Sequence, residues 1–222
     1  MMEPTEIIKE NRKTIAIQIK RTGEIVVRAP YAVSLMEIQR FFESKKDWIA
    51  EKVNKISSLN NTYKDYINYN NFLFFGKKYG KIVISEVKSV SLQNGNFIIP
   101  KQDNAEKEIH KVKLFYLKQA KKWLKSRTDE ISKVIGIEYS AFKVSNTRGR
   151  WGACNSKKEI NLNFRVVCLA PALIDYVIVH ELMHTIEMNH STKFWEKVGK
   201  ILPNFKELRR QIHAFGFLLN LF

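Results

Sequence analysis

Apolar residues alternate with polar ones between Lys13 and Arg28 (Ile15, Ile17, Ile19, then Ile25 and Val27), with Thr22-Gly23 separating the two runs. A period of two marks half-buried strands, so this stretch predicts a β-hairpin ended by Pro30. From Ser34 the period lengthens. Ser34-Leu35-Met36-Glu37 has the form of a capping box, and Leu35, Ile38, Phe41, Phe42, Trp48, Ile49, Val53 and Ile56 then recur at helical spacing, which predicts one long amphipathic helix. The asparagine-rich run Ser57 to Asn71 loses that period and reads as a linker or mobile loop. Strand signals return at Phe72 to Phe75, Lys81 to Ser85 and Val90 to Ile99. The last run carries Asn94-Gly95, which suits a type I′ hairpin turn.

Asp103 or Asn104 is placed to cap a second long helix, whose apolar positions (Ile109, Val112, Leu117, Leu124 and Ile131 among them) continue to a stop at Gly136. Its outer face is basic, with Lys118, Lys121, Lys122, Lys125 and Arg127. A strand around Phe142 to Ser145 precedes the loop Thr147 to Cys154. Ile160, Leu162, Phe164 and Val166 then alternate with Asn161, Asn163 and Arg165, which predicts a strand with one buried and one polar face. Pro171 suits the first turn of a further helix, with Leu173, Ile174, Val177, Ile178 and Leu182 as its core stripe. That helix is expected to end near Met188 or Asn189, because asparagine tolerates the left-handed backbone of a turn. Ser191 is the expected cap of the next helix and Pro203 its stop, and Asn204 to Glu207 resembles the cap of a last helix reaching His213 or Ala214. The tail Phe215 to Phe222 is too short to span a membrane and reads as packed or partner-covered.

Candidate chemistry concentrates in His180-Glu181-Leu182-Met183-His184 and its continuation to His190, which holds three of the chain's five histidines. On a helix His180 and His184 stand one turn apart, so both imidazoles can reach one metal ion while Glu181 lies about 100° round the axis. Two helical histidines, a third ligand and a water make an open tetrahedral zinc site, the zincin signature. Zinc would lower the pKa of its water to about 7, and Glu181 would take the proton as attack begins. The third ligand is His190 or Glu187. An unbroken helix would favour Glu187, whereas a turn at Asn189 favours His190, leaving Glu187 at the rim. Arg148 and Arg150 could stabilise an oxyanion, bind an anionic substrate or pack their loop under Trp151. Trp151 and Trp195 read as core, and His110 and His213 as incidental.

Composition narrows the setting. At 222 residues with 45% apolar content the chain can bury one good core, or one core and a small lobe. It contains no run of 18 apolar residues, and Met1 to Lys13 is polar and charged, so neither a membrane span nor a secretory signal is expected and the default is a cytoplasmic protein. Cys154 and Cys168 lack CxxC spacing and read as free thiols without a metal role. The net charge of +16 favours polyanionic partners such as nucleic acid, nucleotides or acidic protein segments, or else serves solubility.

Several motifs stand in order: Arg150-Trp151-Gly152-Ala153-Cys154-Asn155, Ile160-Asn161-Leu162-Asn163, Tyr176-Val177 through His184, and Asn189-His190-Ser191 with Phe194-Trp195. Together they resemble the YgjP-like metallopeptidase-domain family, itself similar to the SprT-like zinc proteases. Ala153 and Gly149 stand where that family often has serine, which weakens any hydroxyl role for the loop. The resemblance implies an α+β, zincin-like metallopeptidase domain with a third histidine ligand, in agreement with His190. The expected layout is a β-rich N-terminal lobe with one long helix over 1–101 and a catalytic domain over 102–222. The leading expectation is a zinc peptidase acting through a Glu181-activated, metal-bound water. A metal-dependent nucleotide phosphohydrolase and a nucleic-acid-associated protein of SprT-like type are the alternatives.

Overall fold

The computed structural model describes residues 2–20, 23–62, 66 and 69–222. The chain is α+β and divides into two compact units, 1–64 and 65–222. In the first unit β1 (Glu6–Glu10), β2 (Ala16–Ile19) and β3 (Ile25–Pro30) form a sheet in the order β1-β3-β2. β2 and β3 pair antiparallel as the alternation predicts, although Thr22 of the intervening turn lies outside the described residues. β1 adds a parallel edge that the polar N-terminal sequence does not announce.

The single long helix expected after Ser34 is divided into α1 (Leu35–Glu43) and α2 (Lys46–Thr62). α1 carries the predicted capping box: the Ser34 hydroxyl accepts from the Glu37 amide at 3.2 Å, and the Glu37 carboxylate accepts from the Ser34 amide at 2.9 Å. Ile38, Phe42 and Ile49 bury against Ile25, Val27 and Ala29. α2 continues to Thr62, so the linker expected from Ser57 begins later; positions 63–65, 67 and 68 of that run lie outside the described residues.

The second unit begins before the boundary expected at 101. β4 (Asn71–Phe74), β5 (Lys77–Ile84), β6 (Ser91–Gln93) and β7 (Asn96–Pro100) make a sheet in the order β4-β5-β7-β6. Phe72, Phe74, Phe97 and Ile99 belong to the same buried cluster as the helices that follow, which is why these strands join the C-terminal unit. Asn94 and Gly95 both have positive φ, 46° and 75°, as a type I′ turn requires. α3 (Ala105–Ile135) starts where the Asn104 side chain accepts from the Lys107 amide and ends at Gly136 in the left-handed conformation, φ 68°. Its buried Tyr116 donates to the Leu73 carbonyl at 2.6 Å, tying helix to sheet. The basic face of α3 is partly neutralised, since Lys125 pairs with Asp129, and Arg127 pairs with Asp175 and Glu130.

β8 (Ala141–Ser145), β9 (Gly152–Cys154) and β10 (Glu159–Asn163) form a third sheet in the order β8-β10-β9. β10 is shorter than the alternation predicts. Phe164–Cys168 is a fully buried 3₁₀ turn started by the Asn163 side chain, which accepts from the Arg165 amide. Asn163 and Arg165 are therefore buried rather than on a polar face, each satisfied by hydrogen bonds: Asn163 donates to the carbonyls of Thr147 and Arg150, and Arg165 to those of Leu221 and Phe222. Four helices and turns close the chain: α4 (Pro171–Met183), α5 (Thr192–Ile201), α6 (Phe205–Ala214) and a 3₁₀ turn, Phe215–Asn220, that buries Leu218 and Leu219. Asn204 stands at the start of α6 without a side-chain capping bond. Among the described residues no helix is long and apolar enough to cross a membrane.

Candidate active site

Pro171 opens α4 at its first turn, as its fixed φ and missing N–H favour. Leu173, Ile174, Tyr176, Val177, Ile178, Val179, Leu182 and Met183 are all buried, so the helix is held nearly all round. It ends at Met183, with His184 as its C-cap, about a turn before the expected end. The amides of Thr185 and Ile186 bond the carbonyls of Leu182 and Met183 in a tightened last turn, and Asn189 does not adopt the left-handed backbone expected of it. Ser191, as expected, caps α5 by accepting from the Phe194 amide at 3.3 Å. That start fixes Phe194 and Trp195 beside the histidines.

One ring nitrogen from each of His180, His184 and His190 lies within 4.8 Å of the others, so the three could hold a metal ion. His180 Nε2 and His190 Nε2 are 3.0 Å apart. His184 Nδ1 lies 3.1 Å from the Glu187 carbonyl oxygen. Because a carbonyl only accepts, Nδ1 carries the proton and Nε2 presents its lone pair. Glu187 thus meets the group through its backbone. The His184 ring stacks on Phe194 (4.6 Å, 28°) and the His190 ring on Trp195 (5.5 Å, 27°). Burial, then the neighbouring histidines, pushes His180 down to about 3; the same causes lower His190. Both shifts keep the imidazoles in the neutral form that ligates. The donor set, three imidazole nitrogens and no thiolate, fits zinc and other first-row transition ions.

Glu181 is buried at 6% exposure and points toward β9. A Cβ placed on Gly152 would lie 2.6 Å from Glu181 Oε1 and 2.8 Å from Cδ, so only glycine leaves the carboxylate its place. Burial raises this carboxyl to about 8, with the Arg150 charge acting in the opposite sense. Glu181, His180 and His190 open into one cleft of about 540 Å³, shared with Arg150, Trp151 and Gly152 on one side and Tyr176, Trp195 and Arg209 on another. Arg150 and Arg148 are both exposed, and only Arg150 lines this cleft. Trp151 and Trp195, expected in the core, are half-buried in its walls. His213, expected to be incidental, also lines it, whereas His110 is exposed on α3. Tyr176 could have been found from sequence, because it stands four residues before His180 on the same helix face. Arg209 and His213 carry no such signal, since only tertiary packing brings α6 to the cleft. Cys154 and Cys168 are free thiols, as expected.

The family model of the YgjP-like metallopeptidase domain matches residues 13–215. The chain belongs to this family. Family membership makes it a metal-dependent peptidase with a peptide substrate, and the three clustered histidines could hold the ion. A crystal structure of the metallopeptidase zymogen of Pyrococcus abyssi abylysin is similar at 22% identity and a TM-score of 0.37, over 40% of this chain and 90% of that one. No curated protein matches the chain.

Proposed function

We propose that this member of the family is a zinc-dependent peptidase, with His180, His184 and His190 as metal ligands and Glu181 as general base. The observation that carries the reading is the convergence of three imidazole nitrogens, within 4.8 Å of one another, beside a carboxylate buried in the same cleft. A bound zinc ion supplies Lewis acidity that acidifies water and polarises a carbonyl. Glu181 takes a proton from the attacking water and later delivers it to the departing amine, a task suited to a carboxyl raised toward neutral pH. Arg150, on the same wall as Gly152, offers a guanidinium to negative charge developing on the substrate oxygen. Glu181→Gln should abolish peptide hydrolysis while about one zinc per chain remains bound. Undiminished hydrolysis in that variant would remove Glu181 from the mechanism.

The guanidiniums in the cleft also support hydrolysis of a phosphoester at the same centre. Phosphate release from nucleoside triphosphates that depends on zinc and Glu181, in a protein that leaves peptides intact, would favour that second reading.

A further inference from the structure

Arg209 projects from α6 with its guanidinium over the Trp195 ring, 4.6 Å from the centroid. Trp195 is itself fixed, stacked on Phe205 (5.4 Å, 12°) and on the ligand candidate His190 (5.5 Å, 27°). The shelf therefore aims the cation at the cleft from a defined side. The next residue, Arg210, is neutralised by Glu207 at 2.6 Å, whereas Arg209 enters no ion pair among the described residues. Both arginines line the cleft, Arg209 from α6 and Arg150 from the loop that leads into β9. Glu181, which the reaction itself employs, is the sole carboxylate among the described cleft-lining residues.

A guanidinium is weakly hydrated, stacks on aromatic faces and presents a planar fork that matches a carboxylate with two parallel hydrogen bonds. We propose that Arg209, held on Trp195, is a specificity determinant that selects substrates carrying a carboxylate close to the scissile bond. That carboxylate is supplied by an aspartate or glutamate side chain or by a free peptide C-terminus. The inference rests on the peptidase reading and deepens it.

The test is a cleavage profile of the zinc-loaded protein on a proteome-derived peptide library, with a second copy of the library methyl-esterified to block every carboxyl. The native library should show scissile bonds enriched near acidic side chains or near free C-termini, and the position of the enrichment identifies the source. Esterification should lower the cleavage rate about tenfold or more, the worth of one charge-assisted hydrogen-bonded pair. Arg209→Gln should erase the enrichment and raise KM for carboxylate-bearing peptides more than it lowers kcat, with Arg209→Lys recovering part of the preference. Equal cleavage of both libraries, or an enrichment that survives in Arg209→Gln, would overturn the proposal and leave the peptidase reading standing. No cleavage of any peptide in either library would overturn both.

Discussion

The Cα of Gly152 lies against the carboxylate of Glu181 so closely that a methyl group there would meet Oε1 at 2.6 Å. Gly152→Ala should therefore displace the proposed base without touching a proposed metal ligand. Peptidase turnover is expected to fall by about two orders of magnitude, the usual worth of a well-placed general base. Zinc content and far-UV circular dichroism should stay as in the unaltered protein; unchanged turnover would show that Glu181 relaxes without consequence.

Burial of Glu181 also predicts a pH-dependent stability in the metal-free protein. Its carboxyl rises to about 8 when folded from an ordinary 4.5, so the folded state holds the proton more firmly. The fold is favoured fully below the unfolded value and loses stability as pH climbs toward the folded one. Glu181→Gln removes the ionisation, so after chelation this variant should be more stable than the unaltered chain at high pH by on the order of 5 kcal/mol. Near pH 4, below the unfolded value, the two should unfold alike. Urea unfolding at both pH values checks the difference, and an equal gap at both would contradict the assigned cause.

Acid should release the metal, because imidazoles must be neutral to ligate. Zinc content measured after dialysis at roughly pH 2.5, below the value of about 3 to which burial pushes His180, should fall to a minor fraction and recover on return to neutral pH with added zinc. Retention of the full complement in acid would speak against histidine ligation. His190→Ala should weaken zinc affinity while leaving the helix that carries the other two histidines folded.

Arg165 is 1% exposed and holds the C-terminal segment by donating from Nε to the Leu221 carbonyl at 2.7 Å and from Nη2 to that of Phe222 at 3.1 Å. Arg165→Met should cost roughly 2–4 kcal/mol, since it removes the buried donor of two hydrogen bonds to part-buried oxygens of the C-terminal segment. Denaturant unfolding reads that loss directly. A loss below a few tenths of a kcal/mol would mean that the segment is held by its aromatic contacts instead.

Legibility in the sequence follows the range of the forces involved. The caps at Ser34, Asn104 and Ser191, the Asn94-Gly95 turn and the glycine stop of α3 are local bonds, and short stretches of residues declare them. The strand β1 is silent because Glu6, Lys9 and Glu10 surround Ile7 and Ile8 with polarity while each residue's partner on β3 is 20 residues away. The 3₁₀ turn at Phe164–Cys168 mimics strand alternation because every one of its residues is buried. In the cleft, the histidine spacing and Glu181 were readable from helical geometry, and Tyr176 lay within reach of the same argument. Arg209 and His213 were not, because α6 meets α4 only through packing.

His184 ends α4 and His190 lies beyond it, so two candidate ligands belong to a rigid, buried helix and the third to a short exposed connection pressed on Trp195. Capture and release of an ion held by these three residues would thereby be separable from the framework. Substitutions at Ile186, Met188 or Asn189 would then tune how long such an ion stays, and how readily a competing chelator strips it, without disturbing the two histidines that the helix holds.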